Sequence, residues 1–239
     1  MNLYFLVEGI SEFNIYPRWL NCLLPDLKRV DGFDEITDNN YFVFHGGGQP
    51  QIIDEHLPNA IRDINSFKSN VKYDRLLVCL DAEELTVDEL RTEILTSIQS
   101  KKDLNLNDIE LILVIQNRCI ETWLLGNRNI VPTQLENIPF DASEPFQTYR
   151  KYYDVRSKNP ELMGIYDDPK FTTHAQFHEA YLKAVFKSRG NSVGLSYGKG
   201  KAKEVGEKFY LDQLIKRTKD NPDHLQSFQY FISIINSLK

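Results

Sequence analysis

The run Leu76-Leu77-Val78-Cys79-Leu80 is wholly apolar and stops abruptly on Asp81, Glu83 and Glu84. Five apolar residues without polar alternation read as a strand buried on both faces, the usual condition in the middle of a parallel sheet. Open α/β sheets place their ligands in the crevice beyond the carboxyl ends of the strands. The acids closing this run therefore stand where such a sheet does its chemistry, and the rest of the chain reads as supplying the crevice.

Three further apolar runs repeat the pattern. Leu3-Tyr4-Phe5-Leu6-Val7 leads into Glu8-Gly9, Tyr41-Phe42-Val43-Phe44-His45 into three glycines, and Ile109 to Ile115 makes a fourth strand. Between them lie helical patterns. Ser11 is placed to cap a helix whose face is Ile15, Trp19 and Leu23. Gln51 to about Phe67 reads as a helix interrupted or restarted at Pro58. Thr86-Val87-Asp88-Glu89 is a capping box before Leu90, Ile94 and Ile98, and Cys119 to Leu125 is a short helix stopped by Gly126. Pro25 to Asn40 is polar and turn-rich. Strands alternating with helices predict an α/β fold with a parallel sheet of about four strands flanked by helices. Right-handed crossovers then bring Glu8, Asp81, Glu83 and Glu121 to one edge of the sheet.

Beyond Gly126 the texture changes. Pro132, Pro139, Pro145, Pro160 and Pro169 punctuate a Tyr-rich, charged region with no clear strand, and helical patterns return at 174–187, 201–218 and 224–238. The division expected is a metal-binding core over 1–130 and a mostly helical C-terminal section over 131–239. No run approaches the roughly 18 apolar residues of a membrane span, and no secretory signal opens the chain, so a cytoplasmic protein is expected. Cys22, Cys79 and Cys119, odd in number and set among apolar residues, read as reduced core cysteines. The net charge of −6 is unevenly spread: residues 183–239 hold eleven Lys or Arg against five Asp or Glu. An acidic body with a basic tail suits a metal-binding body and a phosphate-binding tail, and solvated helix faces would give the same count.

Carboxylates gathered from several loops can hold magnesium, a hard cation that takes oxygen ligands. Two such ions can stabilise the attacking and leaving oxygens of a phosphodiester displacement. Like charges so crowded imply a cation or raised pKa values. The segment Gly198-Lys199-Gly200-Lys201-Ala202-Lys203 offers backbone N–H groups and ammonium charges to a phosphate, or else is a mobile loop. His174 and His178 share a helical spacing without a known zinc motif. Tyr149, Tyr152 and Tyr153 either stack on bases or pack between sections. The glycines 46–48 serve either close backbone approach or a hinge.

Val7-Glu8-Gly9 with Ser11-Glu12, and Leu80-Asp81-Ala82-Glu83, resemble the two acidic motifs of the Toprim fold, shared by topoisomerases, bacterial primases and nucleases of the overcoming-lysogenization-defect type. Cys119-Ile120-Glu121-Thr122-Trp123-Leu124-Leu125 is similar to the Glu-x-Trp-Leu-Leu helix of small stand-alone Toprim-like proteins, RloB-like ones included, often associated with bacterial defence against phage. The resemblance covers roughly residues 1 to 130. It implies a magnesium-dependent nuclease, with manganese as a substitute, acting on DNA or RNA as an anti-phage effector. Glu8 would be the acid/base or metal-binding glutamate and Asp81 the first metal ligand. Glu83, or Glu84 beside it, would take the second acid position, where the family commonly has Asp, and Glu121 would be a further ligand. A lysine of the C-terminal part would stabilise the transition state. That role falls to Lys199 or Lys201, Lys201 being preferred at an expected helix start, with Lys203 completing the nucleic-acid-binding segment. An effector or binding subunit activated by a partner ATPase, or a homo-oligomer, would fit the same resemblance.

Overall fold

The computed structural model describes residues 1–66, 71–106, 109–133, 140–189 and 197–239. The four apolar runs are strands of one all-parallel sheet: β1 (Leu3–Val7), β3 (Asn40–His45), β4 (Arg75–Asp81) and β5 (Glu110–Gln116). A fifth strand, β2 (Lys28–Val30), joins the sheet of about four that was expected and gives the order β2-β3-β1-β4-β5. β2 lies within the stretch read as turns. It is an edge strand of three residues whose side chains are mostly exposed, so it carries no apolar signature.

The central strands alternate between two cores. Leu3, Phe5 and Val7 with Leu77 and Cys79 face α1 (Ile10–Leu23) and the C-terminal helices. Tyr4 and Leu6 with Leu76, Val78 and Leu80 face α2 (Leu57–Ser66) and α3 (Val87–Ser100). In register, Val7 lies opposite His45 and Cys79, and Cys79 opposite Val114. The carboxyl ends of the strands thus open on one edge.

Local chemistry explains the helix ends. α3 starts on the expected box, Thr86 Oγ1 accepting from Glu89 N (3.2 Å) and Glu89 Oε2 from Thr86 N (2.8 Å). The predicted break at Pro58 is a π-helical turn, Ile52–His56, running directly into α2. Pro58 has no N–H to offer the Asp54 carbonyl, which Lys101 Nζ takes up instead at 2.8 Å. Ser11 does not cap α1: Gly9 occupies the N-cap, and Ser11 is buried inside the first turn. α4 (Ile120–Leu124) follows β5, and a Cβ on Gly126 would stand 2.4 Å from Leu225 Cδ1, so close packing requires glycine there.

The C-terminal section contains α5 (Phe140–Tyr152), α6 (His174–Ser188), α7 (Lys208–Asp220) and α8 (Gln226–Ser237). α5, hidden from the sequence by Pro145 inside it, is an addition. The pattern over 201–218 is corrected, since the helix begins only at Lys208. Phe67 and Pro139 lie outside the described residues. These helices cover the sheet on the α1 side, where Tyr16 stacks on Phe231 at 5.2 Å and Trp19 Nε1 donates to the Val205 carbonyl. Among the described residues no helix is long and apolar enough to cross a membrane.

Candidate functional site

The chain leaves β1 toward β2 and β3 on one side, and leaves β4 toward β5 on the other. Neighbouring β1 and β4 therefore feed connections that part in opposite directions, which opens a crevice at their carboxyl ends. There lies a cleft of about 370 Å³ lined by Glu8, Glu12, Asp81, Glu83 and Glu121, with Lys199 also in its wall.

Glu8, the first residue past β1, is buried, and its Oε2 accepts from the Asp81 amide (2.9 Å) and from Gln49 Nε2 (3.2 Å). Gln49 also donates to the Asp81 carbonyl at 2.7 Å, so one side chain ties the ends of β1 and β4 together. Burial, opposed by these hydrogen bonds and assisted by Glu83, raises the Glu8 pKa. Gly47 and Gly48, both at positive φ, carry the loop after β3 past Glu8, and Gly48 N donates to the Glu8 carbonyl. Gly47 and Gly48 thus shape the cleft wall, while Gly46 packs against Ile52.

Asp81 closes β4. Its Oδ1 is sealed from solvent and accepts no hydrogen bond from the described residues. Burial first, then the charges of Glu12, Glu8, Glu121 and Glu83, push its pKa well above the ordinary range. Glu83 lines the cleft from an exposed position in the left-handed region (φ 49°), facing Arg118 in the same region (φ 76°). Glu83 N donates to the Arg118 carbonyl, and Arg118 Nη1 returns to the Glu83 carbonyl, both at 2.9 Å. Backbone held in this region by non-glycine residues is stored strain, of the kind that collects at functional sites. Glu84 turns away, accepting from the His174 amide (2.7 Å) and Nδ1 (2.6 Å) at the start of α6.

Two buried acids complete the wall. Glu121, in the first turn of α4, accepts from the Tyr197 hydroxyl at 2.6 Å. Glu12, in the first turn of α1, belongs to the quoted acidic motif but carries no expected role there. Gln116 Nε2 approaches its Oε1 at 3.4 Å, and burial, with the charges of Glu121 and Glu8, pushes its pKa up to about 7. The signal was available: Glu12 stands in helical phase with Ile15, Tyr16 and Trp19, an acid on a buried face.

Of the three lysines, the structure brings only Lys199 to the cleft. Burial alone would depress its ammonium, but the charges of Glu121, Glu179, Asp81 and Glu12 hold it above its usual value. Lys201 and Lys203 are exposed outside the cleft lining. Lys201 closes a tight turn on the Gly198 carbonyl and stands seven residues before α7, so the helix-start argument for it fails.

The donor set is carboxylate-rich and suits a hard cation such as magnesium. Mutual repulsion, and an Asp81 oxygen with no partner among the described residues, mark a cluster in which added positive charge, a proton or a hard cation, would be stabilised. Among the described residues no group of three or more His, Cys, Asp or Glu stands ready to hold a metal. Glu8, Glu12 and Glu121 each turn an oxygen to a protein donor instead. The residues fit the cation in chemistry, and they have to turn from these donors to bind it.

The remaining candidates are structural. His178 is buried between the Thr122 hydroxyl (2.7 Å) and the Met163 carbonyl, and its burial pushes its pKa down to about 3. Tyr149 and Tyr152 pack edge-on against Tyr166 and Phe177, while Tyr153 donates to the Asn159 carbonyl. All three cysteines are free. In comparisons with protein-family models, curated proteins and solved structures, nothing matches this chain.

Proposed function

We propose that the chain is a magnesium-dependent enzyme cleaving phosphodiester bonds in DNA or RNA, with manganese as a working substitute. The observation that carries the reading is the gathering of Glu8, Glu12, Asp81, Glu83 and Glu121 with Lys199 around one cleft at the sheet's switch point. The motif resemblance to Toprim nucleases supports it. Asp81, with Glu8 and Glu83, would hold the ion, and Glu121 and Glu12 would complete the oxygen set. Bound there, the cation would polarise the phosphate and make water a better nucleophile. The chain's own contributions are distinct. Gln49 sets the spacing of Glu8 from β4, Tyr197 orients Glu121, and Lys199 neutralises charge growing on the phosphate oxygens.

A second reading has its own observation. The hydrogen bonds that occupy Glu8, Glu12 and Glu121 describe a resting arrangement, which suits an effector switched on by a partner, such as an ATPase of a defence system. Incubating supercoiled DNA, linear DNA and tRNA with the protein and magnesium or manganese tests the first reading. Cutting is expected, and is expected to disappear in Asp81→Ala and fall at least a hundredfold in Lys199→Ala. Cutting that survives Asp81→Ala sinks the mechanism. Cutting seen only with a partner added selects the second reading.

A further inference from the structure

An acidic chain with an acidic cleft repels the backbone of the nucleic acid it is proposed to cut. Residues 1–182 hold 17 Lys or Arg against 29 Asp or Glu. Outside the basic tail that brings Lys199 to the cleft, binding gains from contacts that do not depend on phosphate charge, and bases offer one, the faces of their rings. At the carboxyl end of β3, beside the cleft, four rings and a guanidinium adjoin. Phe44 and His45 lie nearly parallel, 13° apart in plane and 6.1 Å between centroids, and Phe44 meets His56 at 5.3 Å. His45 meets Phe13 edge-on at 5.2 Å, and the Arg29 guanidinium stands 4.7 Å over the Phe13 ring. A phenylalanine 38% exposed at a strand end is costly to leave in water. His45 joins this cluster to the catalytic wall, because it lines the cleft itself.

We infer that Phe44, His45 and His56 form a stacking shelf for an unpaired base next to the phosphate in the cleft, with Arg29 and Phe13 backing it. The inference rests on the nuclease reading and narrows its substrate to single-stranded or locally unpaired nucleic acid. A base within a duplex already stacks on its neighbours and has no free face to give. Stacking is tolerant of sequence, so the shelf selects strandedness and not base identity.

The test uses the full chain in calcium, which replaces magnesium so that the strand is not cut. Single-stranded DNA and RNA carrying 2-aminopurine report stacking by quenching, and end-labelled strands with and without an abasic run report affinity by anisotropy. The wild type is expected to quench single strands and not the matched duplex. Phe44→Ala and His56→Ala are each expected to weaken binding of the base-bearing strand about tenfold, within the five- to hundredfold range usual for a lost stacking partner. Phe44→Tyr restores it, and the abasic strand binds wild type and Phe44→Ala alike. Affinity for the base-bearing strand within twofold of wild type in both alanine variants overturns the shelf. So does equal binding of duplex and single strand, or no binding. Base-dependent binding without any cutting in magnesium supports the shelf and overturns the nuclease reading alone.

Discussion

The charges buried around Arg217 and Glu161 and those buried in the cleft are handled in opposite ways. In the C-terminal section Arg217 is almost fully enclosed, and its donors are used. Nη1 reaches the carbonyls of Gly126 (3.1 Å) and Val155 (2.7 Å), Nη2 that of Lys158, and Nε and Nη2 approach His224 Nδ1 at 3.2 and 3.1 Å. Glu161, also buried, accepts from the Gln226 and Ser227 amides at the start of α8. In the cleft the acids crowd one another, and among the described residues Asp81 Oδ1 has no partner. Arg217 and Glu161, which serve the fold, are saturated with hydrogen bonds, although Glu204 Oε2 in the same section has no partner among the described residues. A charge that serves chemistry is left wanting a ligand, and the fold tolerates the tension.

The sharpest way to break this comparison is at Arg217. Arg217→Met strands three carbonyls and an imidazole, and urea denaturation is expected to show a loss of about 3 kcal/mol, as when one member of a buried polar network is removed. A loss below about 1 kcal/mol would mean the knot is not what holds the C-terminal helices.

The cleft is expected to behave in the reverse sense, through pH. A carboxyl whose pKa is higher in the folded chain than in the unfolded chain holds its proton more tightly when folded. The stability Glu12 lends is whole below the ordinary glutamate value and is lost as pH rises through about 7. Glu8 and Asp81 shift in the same direction and add to the slope. Without divalent ions, melting at pH 8 is expected several degrees below that at pH 5, with Glu12→Gln flattening the difference and magnesium restoring stability at pH 8. A melting temperature flat across this range removes the electrostatic tension from the site.

The smallest expected effect is Asp81→Asn. Replacing this crowded acid with a neutral amide should raise the melting temperature without metal by roughly 3 °C, the equivalent of about 1 kcal/mol in a chain this long, while abolishing the gain from magnesium. Destabilisation in calorimetry would place Asp81 with Arg217, as a residue the fold depends on.

Much of this contrast was legible in the chain, for identifiable reasons. The runs ending at Val7, Leu80 and Ile115 announce themselves because strands buried on both faces carry few polar residues, and the run ending at His45 by its aromatic and β-branched residues. The acids after β1 and β4 follow from the same logic, since a strand's end is where the polar sequence resumes. β2 escaped because an exposed edge of three residues has no such constraint, and α5 because Pro145 suggests a turn while packing accepts it within a helix. Lys201 was preferred over Lys199 on a helix start that lies seven residues further on.

Local composition thus determined which segments are strands, where the capping box falls, and that Glu8, Asp81, Glu83 and Glu121 follow buried or helical elements toward one sheet edge. Only the tertiary structure decided that Glu12 joins them, that Glu84 turns away to His174, that Lys199 alone of the three lysines lines the cleft, and that Gln49 and Tyr197 hold the acids in place. Strand identity is written in neighbours one or two residues away. Which oxygen lacks a partner depends on residues such as Glu121 and Tyr197, 76 positions apart, meeting across a packed core.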